Sequence, residues 1–294
     1  MTSLLRNRFQ YMVRTFAVLC VLGLSTAFDP VAFSAESRHI HAFFPGETLT
    51  YDISWSRMVS AGTAVMEVRE EKLPDGGAGL KFVVTGRSVG LLEKLYPVDD
   101  LVESSFDPRS RDSVSYRLKE SYGGHKRIRE VAFDRTRNRV ASRLNEDPVE
   151  DLAVPEHALD GLSTLYALRL HEEFVVGKIF TIEVFDSSKN WSVEIHTLGR
   201  EKLTTPLGEF ATIKVKTYPK FEGEFKDKGE VFIWLTDDNR RVPLLMKSKL
   251  AFGSFVFTLL GMKPEHVLVP LVHETDKSGN GTENEKADSS RVVQ

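Results

Sequence analysis

The chain has 294 residues, one cysteine and a formal net charge of −3. Because the only thiol is Cys20, near the N-terminus, the rest of the chain can form no disulfide, thiolate metal ligand or cysteine nucleophile, and its fold must rest on a hydrophobic core. Without residues 1–35 the chain loses Arg6, Arg8, Arg14 and Asp29, leaving 36 basic against 41 acidic residues, or −5; this mildly acidic balance argues against nucleic acid as the main partner.

Residues 1–35 read as a secretory signal. Arg6, Arg8 and Arg14 form a basic leader, and Phe16 to Leu24 is an apolar core too short to span a bilayer. Cleavage is expected near Ala32-Phe33-Ser34 or Phe33-Ser34-Ala35, which places the mature protein in the periplasm. The competing reading is a buried N-terminal helix. Leu19 stands where a lipoprotein needs a small residue before the cysteine, so Cys20 is not expected to carry a lipid. No adjacent arginines suggest a twin-arginine route, and no later stretch is apolar and long enough to cross a membrane as a helix.

About 230 residues then remain before the tail, enough for one large all-β domain or two half-domains sharing a core. The first strand is clear. Leu49, Tyr51, Ile53 and Trp55 alternate with polar residues, which puts four large side chains on one face. Ala64, Met66 and Val68 repeat the pattern, Pro74 to Gly77 marks a turn, and Leu80 to Arg87 is a third strand. Leu91 to Tyr96 reads as a short helical turn or an apolar loop, limited by Pro97. Strands follow over Leu101 to Phe106 and Ser113 to Lys119. A Gly123-Gly124 turn joins Lys126–Phe133 to Asn138–Arg143.

This middle run carries Arg109, Arg111, Arg117, Arg127, Arg129, Arg135, Arg137, Arg139 and Arg143. Glu120, Glu130, Asp134 and Glu146 partly neutralise it. That favours a solvated outer face over an anion-docking patch.

One helix interrupts the strands. Pro155 to Arg169 carries Ala158, Leu159, Leu162, Leu165, Tyr166 and Leu170 near helical spacing, and the helical linker extends to about residue 171. Asp160 or Ser163 can cap a shorter version. The β-rhythm then resumes with Phe180, Ile182 and Val184, a Ser187-Ser188 turn, and Trp191, Val193 and Ile195. Ala211 to Thr217 follows a turn at Thr205–Gly208. Val231 to Thr236 is apolar on both faces, and Asp237 to Arg240 forms its turn. Leu244–Leu250 and Phe252–Leu260 read as a hairpin around Gly253 or one bent strand. The tail from Glu274 is polar and reads as disordered.

The fold class is therefore all-β with one central helix: an antiparallel meander forming a barrel or two half-barrel sheets. The expected domain is 44–262, as one unit or as halves 44–150 and 175–262 linked by helix 155–171. A barrel of many strands can hold a ligand. Tyr51, Trp55, Phe82, Tyr96, Phe180, Trp191, Trp234 and Phe255 are the candidate ligand-binding residues, with Phe252 and Phe257 beside them. A filled core is the competing reading.

No cofactor motif, phosphate loop, G-x-S-x-G elbow or zinc-protease helix is present. Ser163 sits in the helix without a sequence-defined base. Asp237 and Asp238 suit a turn and ion pairs better than a cation site. His39, His41, His125, His157, His171, His196, His266 and His273 form no ligand pattern. No catalytic or metal residue is assigned, and an enzyme is the least favoured of three readings. The others are a carrier of a lipid-like or apolar small molecule and an adaptor binding an envelope protein.

Several landmarks, in this order and spacing, resemble the DUF3108 family of exported bacterial proteins of unknown function. They are Gly46-Glu47-x-Leu49-x-Tyr51 with Trp55, Ala61-Gly62, Tyr96-x-Val98-x-Asp100, and Asp160-x-Leu162-Ser163-x-Leu165-Tyr166 with Arg169. Gly208-Glu209-Phe210, Val231-x-Ile233-Trp234-Leu235-x-Asp237-Asp238, Arg241-Val242-Pro243 and Gly253-Ser254 complete the set. The resemblance implies an exported, barrel-like β-domain and carries over no site residue. The general form is also similar to lipid and lipoprotein carriers, an analogy of folds alone.

Overall fold

A computed structural model describes residues 42–56, 58–221, 224–225, 230–250 and 253–271. The expected signal segment, His39, His41, Phe252, His273 and the tail from Glu274 lie outside the described residues. No described helix is long and apolar enough to cross a membrane.

The described strands form one antiparallel sheet made of two meanders. The first contains β1 (Thr48–Trp55), β2 (Val59–Lys72), β3 (Ala78–Ser88), β4 (Asp99–Asp107), β5 (Asp112–Tyr122), β6 (His125–Asp134), β7 (Arg139–Leu144) and β8 (Glu150–Ala153). The second contains β9 (Ile179–Asp186), β10 (Lys189–Thr205), β11 (Gly208–Phe221), β12 (Glu224–Phe225), β13 (Glu230–Thr236), β14 (Pro243–Leu250) and β15 (Gly253–Lys263). Within each meander, neighbours in sequence pair, except that β13 skips past β12 to pair with β11. The meanders join where β1 pairs with β15, from Thr48 opposite Lys263 to Trp55 opposite Phe255. This long-range contact makes the two meanders one wall.

The wall does not close through a strand ladder, so β8 and β9 are its edges. Other contacts stitch the seam. The Leu159 N–H donates to the Glu183 carbonyl, and the Phe185 N–H donates to the Leu159 carbonyl, both at 2.8 Å. Asn190 Nδ2 donates to the Ala153 carbonyl at 2.7 Å. Ser188 Oγ donates to Glu150 Oε2 at 2.7 Å.

Two short helices interrupt the strands: α1 (Gly90–Leu95) and α2 (Gly161–Arg169). A 3₁₀ turn spans Glu265–Val267. The helix expected from Pro155 thus begins six residues later and ends at Arg169, short of 171. The physical reason is local. His157 has φ 58° in a turn closed by the Ala158 N–H and the Pro155 carbonyl, and Leu159 is bonded to the edge of β9, so the chain cannot begin a helix before residue 160. Asp160 then caps the helix, its Oδ1 accepting from the N–H groups of Leu162 and Ser163 at 2.9 Å.

Helix α2 is buried on nearly every side, including Leu162, Ser163, Thr164, Tyr166, Leu168 and Arg169. It plugs one end of the barrel. The Tyr166 ring stacks on Phe82 with 3.7 Å between centroids, and Phe43 meets both rings edge-on. Alternation places Leu49, Tyr51 and Ile53, Ala64, Met66 and Val68, Ile213, Val215, Ile233, Leu235, Phe255 and Phe257 in the same core.

Candidate functional site

The ladder registers give the barrel two unlike ends. The turns at 73–77, 108–111, 135–138, 206–207 and 237–242 lie at the end plugged by α2. The connection after Trp55 and those at 89–98, 123–124, 145–149 and 187–188 lie at the other.

At the plugged end, Arg169 and Asp160 are each bound by several partners. Arg169 and Glu47 form a bidentate pair at 2.6 and 2.9 Å, each with only 1% of its side chain exposed. Arg169 also donates to the carbonyls of Ala42 at 2.6 Å and Arg240 at 3.2 Å. Burial opposes its charge, but the Glu47 carboxylate overcomes this and raises the guanidinium pKa. Asp160 Oδ2 accepts from Ser104 Oγ at 2.6 Å and Ser113 Oγ at 2.7 Å. Ser163 Oγ shares a 2.6 Å hydrogen bond with Ser104 Oγ. The described contacts of this knot include no histidine, so it joins helix to sheet without forming a nucleophile–base pair.

Toward the open end, inward side chains fall in rows across neighbouring strands. The deepest of three rows runs Val68, Phe82, Ser104, Tyr116, Val131 and Ser142. The next runs Met66, Val84, Val102, Leu118 and Arg129. The row nearest the mouth runs Tyr51, Ala64, Gly86 and Asp100. One step beyond the Leu101–Lys119 pair, Asp100 meets Glu120, which lies opposite Arg127. Apolar depth thus gives way to charge near the rim.

Two features of the upper row stand out. A methyl group built on inward Gly86 would meet no atom within 4 Å, so the wall has open space there. Directly opposite, Asp100 is 6% exposed. Its Oδ1 accepts from the Ser121 N–H at 2.9 Å, and no other hydrogen bond reaches this carboxyl among the described residues. Burial, then the nearby Glu120 and Asp99 charges, pushes its pKa up to about 7, against the pull of the Ser121 N–H. Arg127 lies 3.4 Å from Glu120. Arg129 donates to Ser188 Oγ at 3.1 Å and Ser142 Oγ at 3.4 Å. Burial lowers its pKa, aided by Arg127. The Tyr116 hydroxyl is buried without a hydrogen-bond partner among the described residues. Burial, followed by the Asp186 and Asp160 charges, raises its pKa.

The eight sequence candidates do not form one lining. Tyr51 is buried and donates its hydroxyl to the Pro243 carbonyl at 2.8 Å, while Phe82 is held under Tyr166. Trp191 donates to the Asp186 carbonyl at 2.9 Å. Phe180 stacks on His171 near the plugged end, at 3.5 Å. Trp234 faces outward in a separate small cluster with Leu245 and Val256, because β13 is apolar on both faces. Its indole donates to Glu201. At the mouth, half-buried Trp55 meets Phe255 edge-on at 4.6 Å, and half-buried Tyr96 stacks over Tyr122 at 6.4 Å. Gly253, with φ +136°, sits where a side-chain carbon would lie 2.5 Å from the Trp55 ring.

The sequence reading missed Glu120, Arg127 and Arg129 as interior groups. Arg127 and Arg129 share the inward face of Val131 and Phe133, correcting the expectation of a wholly outer arginine run. Extending that period-two pattern backward is the signal that finds them. Arg117, Arg137, Arg139 and Arg143 pair with exposed or half-exposed carboxylates, as a solvated face requires. Asp238 Oδ1 accepts from Thr236 Oγ1, Arg240 N and Arg241 N, and Asp237 pairs with Arg200 at 2.8 Å. No group of three potential metal ligands occurs among the described residues.

Three solved structures resemble the chain in outline. They are a β-barrel-like DUF1849 protein from Brucella abortus, with 11% identity, a TM-score of 0.49 and coverage of 74% of this chain and 96% of that one; a candidate lipoprotein from Parabacteroides distasonis, with 10%, 0.31, 75% and 96%; and a candidate exported protein with a YmcC-like fold from Bacteroides fragilis, with 12%, 0.29, 75% and 98%. Likeness at this level says nothing about what this chain binds. No curated protein matches the chain. The family described as "Protein of unknown function (DUF3108)" matches residues 50–260, and the chain therefore belongs to that family.

Proposed function

We propose that this protein is exported to the periplasm and holds a lipid-like or other amphipathic small molecule in the mouth of its open barrel, without changing it chemically. The basic leader and apolar core before residue 35 support the location. One observation carries the binding reading: the open space at inward Gly86, opposite a buried carboxyl with a single hydrogen-bond donor. Apolar Trp55 and Phe255 stand toward the rim, suiting a ligand with both oily and polar parts. This narrows the pocket proposed from sequence to Trp55, Tyr96 and Phe255, with Gly86, Asp100, Glu120 and Arg127 added.

The test is gentle purification of the exported protein followed by native mass spectrometry and solvent extraction. A reproducible co-purifying amphiphile at a fixed ratio is expected. Protein that emerges empty and takes up no apolar fluorescent probe contradicts the proposal.

An envelope adaptor is the second reading. It is favoured by exposed Val175, Val176, Ile179 and Leu198 around the edge strand β9. In-cell cross-linking distinguishes the two readings, because an adaptor yields a stoichiometric protein partner.

A further inference from the structure

We propose that Asp100, with Glu120 beside it and Gly86 opposite, forms a head-group subsite that selects an amphiphile bearing a primary ammonium. The inference rests on the carrier reading and goes beyond it by naming the ligand's polar chemistry.

Three observations converge. First, space exists where the head would sit. Gly86 lacks the side chain that would fill the row between Ala64 and Asp100, and its Cβ position is empty to 4 Å. Second, Asp100 is more than nine-tenths buried, yet its carboxyl accepts one hydrogen bond among the described residues. An ionised carboxylate offers about four lone-pair sites, so this acceptor has unused capacity facing the gap. Third, the charges that act on Asp100 itself, those of Glu120 and Asp99, are negative. Arg127 contacts Glu120 at 3.4 Å, and Arg129, one row deeper, is bonded to Ser188 and Ser142. Asp99 pairs with Arg87 at 3.0 Å at an exposed site.

An anionic head would enter beside two carboxyls and be repelled. A hydroxyl head offers one donor and no charge. An ammonium offers three donors and the complementary charge. Its alkyl chain would continue past Ile53 and Trp55 toward Phe255 at the rim.

The charged and titratable groups around Asp100 are Glu120 on β5, Arg127 and, one row deeper, Arg129 on β6, and Asp99 with Arg87. Tyr51 lies in the same row, and His125 stands at the rim beside Tyr122. A cation at the subsite favours ionised Asp100. Binding therefore releases a proton where that carboxyl is protonated, and affinity falls as pH drops from 8 toward 6. An alkylammonium stays charged across that range, since a free amine has a pKa of about 10.

The test uses mature protein loaded with the neutral probe N-phenyl-1-naphthylamine and displaced by dodecylammonium, dodecanoate or 1-dodecanol. At pH 8, dodecylammonium should displace the probe roughly tenfold more effectively than dodecanoate, the worth of one charge-assisted contact. Asp100→Asn should erase that preference while retaining probe binding, and Glu120→Gln should reduce it. The preference should shrink at pH 6 in wild type and in His125→Gln alike. Equal displacement by all three amphiphiles, or stronger displacement by dodecanoate, overturns the head-group assignment and leaves the carrier reading intact. No probe binding at all sinks the carrier reading itself and this inference with it. A preference unchanged in Asp100→Asn also overturns the assignment.

Discussion

Asp160 and Arg169 at the plugged end and Asp100 near the mouth are buried polar groups satisfied to very different degrees. At the plugged end, Asp160 accepts four hydrogen bonds and Arg169 is held by Glu47 and two carbonyls. Near the mouth, Asp100 accepts one among the described residues. A saturated buried group is part of the frame, since removing one partner strands the other. An unsaturated one weakens the frame where it stands, and its persistence next to open space points to a ligand. Stability measurements can therefore separate these groups before any ligand is known.

The largest effect should come from Arg169→Ala. It leaves the Glu47 carboxylate buried without its ion partner and should cost about 3–5 kcal/mol. A shift in the urea midpoint reads this directly. The double variant Glu47→Leu with Arg169→Met should recover much of that loss, because no charge is then stranded. A double variant as unstable as the single would show that packing against Phe43 and Tyr166, and not charge, governs this end.

Asp100→Asn should act in the other direction. The folded pKa of Asp100 lies above the ordinary value, so the folded state holds its proton more tightly than the unfolded chain. The stability that this supplies is complete below about pH 4 and declines as pH rises toward 7. Asparagine does not titrate. The variant should therefore match wild type near pH 4 and exceed it at pH 8 by up to about 4 kcal/mol, the limit set by a shift of about three units. A variant less stable than wild type at pH 8 would mean that the carboxylate is better satisfied than its contacts indicate.

Asp160→Ala removes a helix cap and strands Ser104 and Ser113, a loss of about 2–3 kcal/mol. Asp160→Asn should retain part of the cap and lose less. Tyr116→Phe should change stability least, within about 1 kcal/mol and toward greater stability, because the hydroxyl it deletes has no partner to abandon. Thermal melts of the Asp160 and Tyr116 variants side by side sharpen the contrast between a saturated group and an unsaturated one.

Much of the wall was legible because period two is a local signal. Leu49, Tyr51, Ile53 and Trp55 lie on the inward face, and the turns at Pro74–Gly77, Gly123-Gly124 and Ser187-Ser188 occur where their residues place them. The start of α2 was legible only in part. Asp160 was a recognisable cap, but the pairing of Leu159 with β9 is a tertiary contact that overrides the helical spacing upstream. Trp234 misled for the opposite reason: with apolar residues on both faces of β13, alternation does not say which face meets the core. The short acidic strand β8 gave no apolar rhythm.

The mouth was the least legible region. Asp100 was visible as a family landmark, but its place opposite Gly86 and beside Glu120 depends on strand register. The β1–β15 junction, which brings Phe255 to Trp55, joins the two ends of the domain and has no local signature.

The central claim is that the mouth around Gly86 is a binding space, and the most direct measurement is a titration of wild type and Gly86→Leu with N-phenyl-1-naphthylamine. A Cβ at Gly86 meets nothing within 4 Å and the residue has no positive φ, so the variant should fold, which a thermal melt beside wild type checks. Saturable binding by wild type and a loss of at least about tenfold in the variant, worth about 1.4 kcal/mol, is the predicted result. Equal binding by two equally folded proteins would place the ligand elsewhere and contradict the account.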